Sequence, residues 1–294
     1  MGAPLTRYRF VPREVPLLTS DVAVGLLEAL SSGKSHARTS LDLWISEVTV
    51  RLEGGAALIG GAVVTRSELE EVAKDERTVF AVTASGLLPV EVRSDRYYKL
   101  VNTGRGHAPT LEIDGIHMHR VAEVKPERDA AMKVALLGRL RGKRVLDTCT
   151  GLGYTAIEAL RRGASEVVTV EVDPNVLSLA ELNPWSRALS DERVTVLQGD
   201  VSELIRSFED GSFDAVIHDP PRFSLAGELY GLGFYWELSR VLKRGGVVVH
   251  YVGRPGHLSG KRIHVGVMRR MREAGFSVRW VERAEVVVGL KVTG

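Results

Sequence analysis

A chain of 294 residues has room for one large domain or two ordinary ones, and 44% hydrophobic with 26% charged residues is the balance of a globular protein that buries a core. A formal net charge of +2 neither demands nor excludes a polyanionic partner, while a single cysteine excludes an intramolecular disulfide and a cysteine-based zinc site. No run approaches the roughly 18 apolar residues of a membrane span, and the opening MGAPLTRYRFVPREVP lacks the apolar core of a signal peptide, so the expectation is a soluble, cytoplasmic protein.

The first elements are short. DVAVGLLEAL (21–30) reads as a helix capped by Ser20 or Asp21. Short β-rich runs follow: WISEVTVRL (44–52) and AALIGGAVV (56–64), the latter broken by glycines. A helix over LEEVAKDE is capped by Ser67 or Thr65. VFAVTA (79–84), LPVEVRS (88–94), YYKLV (97–101) and the alternating TLEIDGIHMHR (110–120) read as four further strands. The β-β-α-β-β order within this segment predicts a small α+β module over residues 1–122.

From 123 the pattern changes. Pro126 to Gly138 carries Ala130, Ala131, Val134 and Leu137 at helical spacing and leads into a strand at 144–147. Helices are then predicted at 154–162, 174–182, 201–207, 227–242 and 261–274, alternating with strands at 166–171, 193–197, 213–218 and 246–252. Alternation of this kind implies a doubly wound parallel sheet with helices on both faces. Two closing strands, 277–283 and 285–292, have no helix between them and predict an antiparallel hairpin at the end. The expected fold is α/β: a mostly parallel seven-stranded sheet over 123–294, preceded by the small module.

Within that sheet, RVLDTCTGLGYTAIEA (144–159) is a strand, a glycine turn and a helix start. Gly151 and Gly153 let a ligand approach the backbone, and the helix N-terminus offers unpaired N–H groups, so the stretch suits a nucleoside-bearing ligand. Gly151-Leu-Gly153-Tyr154-Thr-Ala156 also fits the G-x-G-x-x-G/A pattern of dinucleotide enzymes. In that pattern, however, the strand runs apolar almost into the first glycine, whereas here Asp147, Thr148, Cys149 and Thr150 intervene. A carboxylate at Asp147 suits a cationic ligand better than a pyrophosphate. Glu171 ends the next strand about 18 residues past Gly153, where an acid accepts two hydrogen bonds from a ribose diol; Asp173 is its backup. Asp200 follows the third strand and is also a natural cap for the helix at Val201. Asp219-Pro220-Pro221-Arg222-Phe223 ends the fourth, where two prolines stiffen the backbone and leave its carbonyls projecting.

The first motif resembles motif I, usually D-x-G-x-G-x-G, of the class I S-adenosylmethionine (AdoMet) dependent methyltransferases, with Cys149 in place of the first glycine. Asp219 to Phe223 resembles motif IV, [DN]-P-P-[YFW], of amino-group methyltransferases. It is more similar still to the D-P-P-x-F variant of several RNA methyltransferases, which often continues with serine, as at Ser224. Arg222 stands where the amine enzymes place an aromatic ring. Taken whole, the chain resembles an uncharacterised family of predicted archaeal methyltransferases. The resemblance implies AdoMet as cofactor, S-adenosylhomocysteine as product, and a cofactor set of Asp147, Thr148, Cys149, Gly151, Gly153, Tyr154, Glu171, Val172, Asp200, Val201 and Asp219. It implies a reacting set of Asp219, Pro220, Pro221, Arg222 and Phe223, in which Phe223 stacks and Arg222 holds an acidic group of the acceptor. No metal or protein nucleophile is needed. The only cysteine lies in the cofactor turn, which argues against covalent 5-methylcytosine chemistry.

The expected acceptor is an RNA base, presented by the N-terminal module and a basic segment. Arg254 to Arg283 holds eight basic residues against Glu273 and Glu282, including Lys261-Arg262 and Arg269-Arg270-Met-Arg272. Asp95-Arg-Tyr-Tyr-Lys99 mixes bases with aromatics. The alternatives are a small-molecule methyltransferase or AdoMet-type alkyl transferase with the N-terminal module as a lid, and a non-catalytic RNA-binding or AdoMet-sensing protein. His117 and His119 face one side of a strand and are expected as hydrogen-bonding groups rather than metal ligands. His250 and Tyr251, at the end of a strand, have either an acceptor-site or a core role.

Overall fold

A computed structural model describes residues 6–253 and 263–292. Its chain forms two compact units: residues 1–10, 128–174 and 188–294 make one, and residues 11–127 with 175–187 make the other. The division differs from a single boundary at 122/123. A strand from the N-terminus joins the large sheet, and the helix Pro174–Leu182 with the turn after it groups, from residue 175, with the small unit. Among the described residues no helix is long and apolar enough to cross a membrane.

The larger unit is built on one eight-stranded sheet. Its strands are β1 (Thr6–Tyr8), β2 (Arg144–Asp147), β3 (Glu166–Glu171), β4 (Val194–Gln198), β5 (Phe213–His218), β6 (Leu242–Tyr251), β7 (Phe276–Val281) and β8 (Val286–Lys291). They lie in the order β1-β4-β3-β2-β5-β6-β8-β7. Five central strands, β4 to β6, run parallel; β8 inserts antiparallel between β6 and β7, which realises the expected terminal hairpin. The eighth strand is an addition to the seven expected. Thr6–Tyr8 pairs antiparallel with Gln198–Val196 and covers an edge that three polar or aromatic side chains did not advertise as a strand.

Strands buried on both faces by helices read as continuous apolar runs. The run VVTV inside β3 and the AVIH that closes β5 are buried throughout. The helices are α1 (Pro126–Ala135), α2 (Tyr154–Arg161), α3 (Val201–Leu204), α4 (Leu232–Val241) and α5 (Ile263–Glu273). The segment expected as one helix over 227–242 is a 3-10 turn, Gly227–Tyr230, then α4, and its last residue already belongs to β6. One core joins the sheet to α3, α4 and α5 through Leu146, Val168, Leu197, Val216, Tyr235 and Val248.

The smaller unit holds three antiparallel sheets and its own core around Val22, Leu26, Val50, Leu52, Ile59 and Leu69. Its helix Arg66–Lys74 starts at a reciprocal cap: Thr65 accepts the Glu68 N–H, and Glu68 accepts the Thr65 N–H at 2.8 Å. The helix Ser20–Ser31 begins one residue earlier than expected, with Thr19 at the cap position. The stretch 110–120 is not one strand. Asp114 and Gly115 both take positive φ (+49° and +80°), the requirement of a two-residue hairpin turn, so Thr110–Ile113 folds back on Ile116–His117. Likewise 88–94 divides into Gly86–Pro89, which pairs with Phe80–Thr83, and Glu91–Arg93, which pairs with 97–99 in another sheet.

Candidate active site

Register places the motif residues together. Asp147 at the end of β2 is level with Thr169 on β3 and Ile217 on β5, and Glu171 and Asp219 lie two residues further along those neighbours. The loop after β2 is pinned across both: Thr148 donates its N–H to Ile217 O and Thr150 to Val170 O, each at 2.9 Å. Gly151 (φ +51°) and Gly153 (φ +80°) then turn the chain into α2 through the left-handed region, where only glycine is unstrained. A Cβ on Gly151 would project into open space, whereas one on Gly153 would strike Leu189 at 2.6–2.8 Å. The first glycine therefore faces open space, and the second allows close packing.

Asp147 lies underneath the loop, fully buried. Its Oδ2 accepts from the Thr169 hydroxyl at 2.7 Å and its Oδ1 from the Thr155 hydroxyl at 3.1 Å. Thr169 spends its proton on Asp147, so the 2.7 Å contact between the Thr150 and Thr169 hydroxyls is a donation from Thr150. Burial pushes the Asp147 carboxyl up to about 7 despite these donors. This carboxylate is a brace and a buried charge; its oxygens are spent on hydroxyls rather than offered at the surface of the loop.

Glu171 is half-buried and firmly held. One oxygen accepts the Gly151 N–H at 2.8 Å and the other the Asp173 N–H at 3.1 Å. Burial pushes it up to about 6. Asp200 is exposed, and its Oδ1 accepts the Ser202 N–H at 2.7 Å, so it does cap the short helix that starts at Val201. Val201 is buried and Val172 exposed. Cys149 is half-buried, and burial with the Glu171 charge raises its thiol well above the usual value, the reverse of a nucleophilic cysteine.

Asp219 comes with a partner that the motifs do not contain. Its Oδ2 accepts from Lys133 Nζ at 2.8 Å, and the same ammonium reaches Asp129 Oδ2 at 2.8 Å. Lys133 lies on α1, almost fully buried, with Nζ 3.8 Å from the centre of the Tyr251 ring. Burial works against the ammonium, but Asp219 and Asp129 outweigh it and hold Lys133 above its ordinary value. In sequence, Asp129 and Lys133 are an i,i+4 pair beside an apolar stripe and pass for a solvated helix salt bridge. Only the packing of α1 on the sheet reveals them as one buried acid–base–acid cluster.

A second missed residue is His218. Its Nε2 lies 2.9 Å from Leu229 O, and since a carbonyl cannot donate, Nε2 carries the proton. Burial holds the ring down to about 4, so it is neutral and Nδ1 accepts from the Thr148 hydroxyl at 2.7 Å. His250 packs against it at 4.3 Å between ring centres and touches the Tyr235 hydroxyl at 3.3 Å, a core position, while Tyr251 belongs to the Lys133 cluster. Of the two stiffened carbonyls, that of Pro221 does not project freely: it accepts the Tyr230 hydroxyl at 3.0 Å. Phe223 is exposed and stands edge-on to Tyr230 at 5.4 Å; Arg222 is exposed beside it.

The basic segment divides. Arg254, Lys261 and Arg262 lie outside the described residues. Arg269, Arg272, Arg279 and Arg283 are exposed, but Arg270 turns inward and donates to Tyr230 O at 2.9 Å. His117 pairs with Glu112 at 2.9 Å and His119 with the Thr110 hydroxyl at 3.0 Å, separate partners in place of a shared one. In Asp95–Lys99, Tyr98 is core, while Tyr97 is half-buried, with its hydroxyl on Glu91 and the Arg93 guanidinium carbon 4.8 Å from its ring centre.

Residues 123–249 match the family described as Conserved hypothetical protein 95. The chain is 44% identical over 280 residues to the "Uncharacterized protein MJ1233" of Methanocaldococcus jannaschii, covering 93% of this chain and 95% of that one. It is 31% identical over 149 residues to "Ribosomal RNA large subunit methyltransferase I" of Photobacterium profundum. That match covers 48% of this chain and only 37% of the relative, so the similarity spans little more than a third of that protein's length. Among solved structures, a spermidine synthase superposes with a TM-score of 0.56 at 19% identity, covering 68% of this chain and 72% of that one, a likeness of fold.

Proposed function

We propose, for a chain that belongs to the class I AdoMet-dependent methyltransferases in one family with its Methanocaldococcus jannaschii relative, that the acceptor is a nitrogen of an RNA base and that Asp219 orients it. AdoMet supplies an electrophilic methyl on a sulfonium. The residues fit it: a Cβ on Gly151 would meet nothing, so the backbone of the turn is open to a ligand, and Asp147 and Glu171 set two acids at the ends of the adjacent strands the turn crosses. Glu171, held by two N–H groups, keeps acceptor capacity for a ribose diol. Asp147 braces the glycine turn from below and adds negative charge under it.

The single observation that carries the reaction is the Asp219–Lys133 contact. Lys133 occupies Oδ2, which leaves Oδ1 to accept an N–H from the incoming amine and so turn its lone pair toward the methyl. With its own charge balanced, Asp219 orients the amine as a hydrogen-bond acceptor and then takes the proton that the methylated nitrogen sheds. The stiff Pro220-Pro221 turn, pinned by Tyr230, holds that geometry. RNA as the class of acceptor is supported by the ribosomal RNA methyltransferase names of relatives that match part of this chain and by the exposed arginines of α5 and β7.

The test is transfer of labelled methyl from AdoMet to RNA from a methylation-deficient host, alongside calorimetric binding of AdoMet with NADH as control. Asp219→Ala is expected to keep AdoMet binding and to lose on the order of 10² or more in turnover. Normal turnover in that variant sinks the assigned mechanism. Label appearing in small metabolites and none in RNA sinks the acceptor.

A further inference from the structure

In the smaller unit, two unusual loops meet. Leu43 and Trp44 are consecutive non-glycine residues in the left-handed region (φ +56° and +66°). Backbone of this kind persists only where its surroundings over-determine it. Here they do. Ser46 donates both N–H and hydroxyl to Asp42 at 2.9 and 2.7 Å, Trp44 N–H goes to the Ser40 hydroxyl at 2.8 Å, and Trp185 Nε1 donates to Leu43 O at 3.2 Å. The indole N–H of Trp44 itself is fixed on Asp21 Oδ2 at 2.7 Å, which sets the plane of the ring.

The second loop is Thr103-Gly-Arg-Gly-His107. Gly104 and Gly106 take φ of +118° and +74° on either side of Arg105, and the loop is closed by Thr103 Oγ1 to Ala108 O at 2.8 Å and by Glu127, which holds His107 and the Ala108 N–H. Arg105 is thus carried on a rigid tip. Its guanidinium carbon lies 3.7 Å from the centre of the Trp44 ring. The side chain is exposed and makes no hydrogen bond or ion pair among the described residues. A cation held against an aromatic face, with its N–H edge unspent, has been oriented without being neutralised.

We propose that the Arg105–Trp44 pair is a binding site for single-stranded RNA. The guanidinium, backed by the indole, stacks one unpaired base on its outer face, and its N–H edge takes a neighbouring phosphate. A planar guanidinium offers both features where an ammonium offers only charge, and a nucleobase is flat where an acidic peptide is not. The site deepens the RNA-acceptor reading above and rests on it.

The experiment is fluorescence anisotropy of a labelled single-stranded RNA of about 12 nucleotides with the full chain as wild type, Arg105→Ala and Arg105→Lys. Arg105→Ala is expected to weaken binding about tenfold and to lower the slope of log affinity against log salt by about one, with thermal melting and AdoMet affinity unchanged. Arg105→Lys is expected to restore the salt slope and little of the affinity. Wild-type affinity in Arg105→Ala overturns this site and leaves the RNA reading standing, whereas a wild-type chain that takes up no RNA overturns both. Full rescue by lysine, or competition by poly-glutamate as strong as by unlabelled RNA, overturns stacking.

Discussion

Asp147, with its oxygens on Thr155 and Thr169 and its carboxyl pushed up to about 7, makes the folded protein hold a proton that the unfolded chain has released. Glu171, at about 6, does the same over a narrower range. Between about pH 4 and pH 7 the native state therefore binds more protons, and stability of the ligand-free protein falls as pH rises through that window. For Asp147 the full effect is on the order of 4 kcal/mol. Melting temperature against pH should fall more steeply in the wild type than in Asp147→Asn. A cationic ligand over the loop favours the ionised acids, so AdoMet affinity should rise from pH 5.5 to pH 7.5, with proton release visible as a buffer-dependent enthalpy. Affinity flat across that range would remove the acids from cofactor recognition. Lys133 poses the opposite case: Lys133→Met removes the buried ammonium that both Asp129 and Asp219 contact, a loss of about 3–5 kcal/mol. Denaturant melts should show that loss, and adding Asp219→Asn should recover part of it.

The glycine turn as an element separates two roles that its spacing makes look alike. Both glycines have positive φ, so any side chain costs about 1–2 kcal/mol in backbone strain. Gly153→Ala also drives a methyl into Leu189, adding about 1–3 kcal/mol of overpacking. Gly151→Ala meets nothing in the protein. Thermal melts should rank Gly153→Ala as the less stable variant. Calorimetry should find that Gly151→Ala, although better folded, still loses AdoMet binding, because its methyl occupies the space over the turn. Equal melting temperatures would contradict the packing role of Gly153.

For the whole molecule, the sheet's eighth strand decides where the chain can be cut. Thr6–Tyr8 covers β4, and residues 175–187 belong with the small unit, so a fragment 123–294 carries an uncovered sheet edge. Exposed edges template association. Light scattering should find that fragment aggregating, and restoring residues 1–10 ahead of it should suppress the effect.

What the sequence determined on its own is local and periodic. Alternating strand and helix patterns, the glycine turn and acids at successive strand ends identified an α/β sheet of the methyltransferase class. Each such signal lies within one segment and reflects the conformation of that segment. What the tertiary structure decided depends on neighbours distant in sequence. Lys133 lies 86 residues from Asp219 and becomes its counter-charge only when α1 packs on the sheet. Asp147 turned out to be a buried brace because Thr169, 22 residues on, sits level with it in the parallel register. Arg105 and Trp44, in loops with no periodic signal, meet only in the folded unit. Burial and partnership are set by packing, and they determine which charges are spent on the fold and which are left for a ligand.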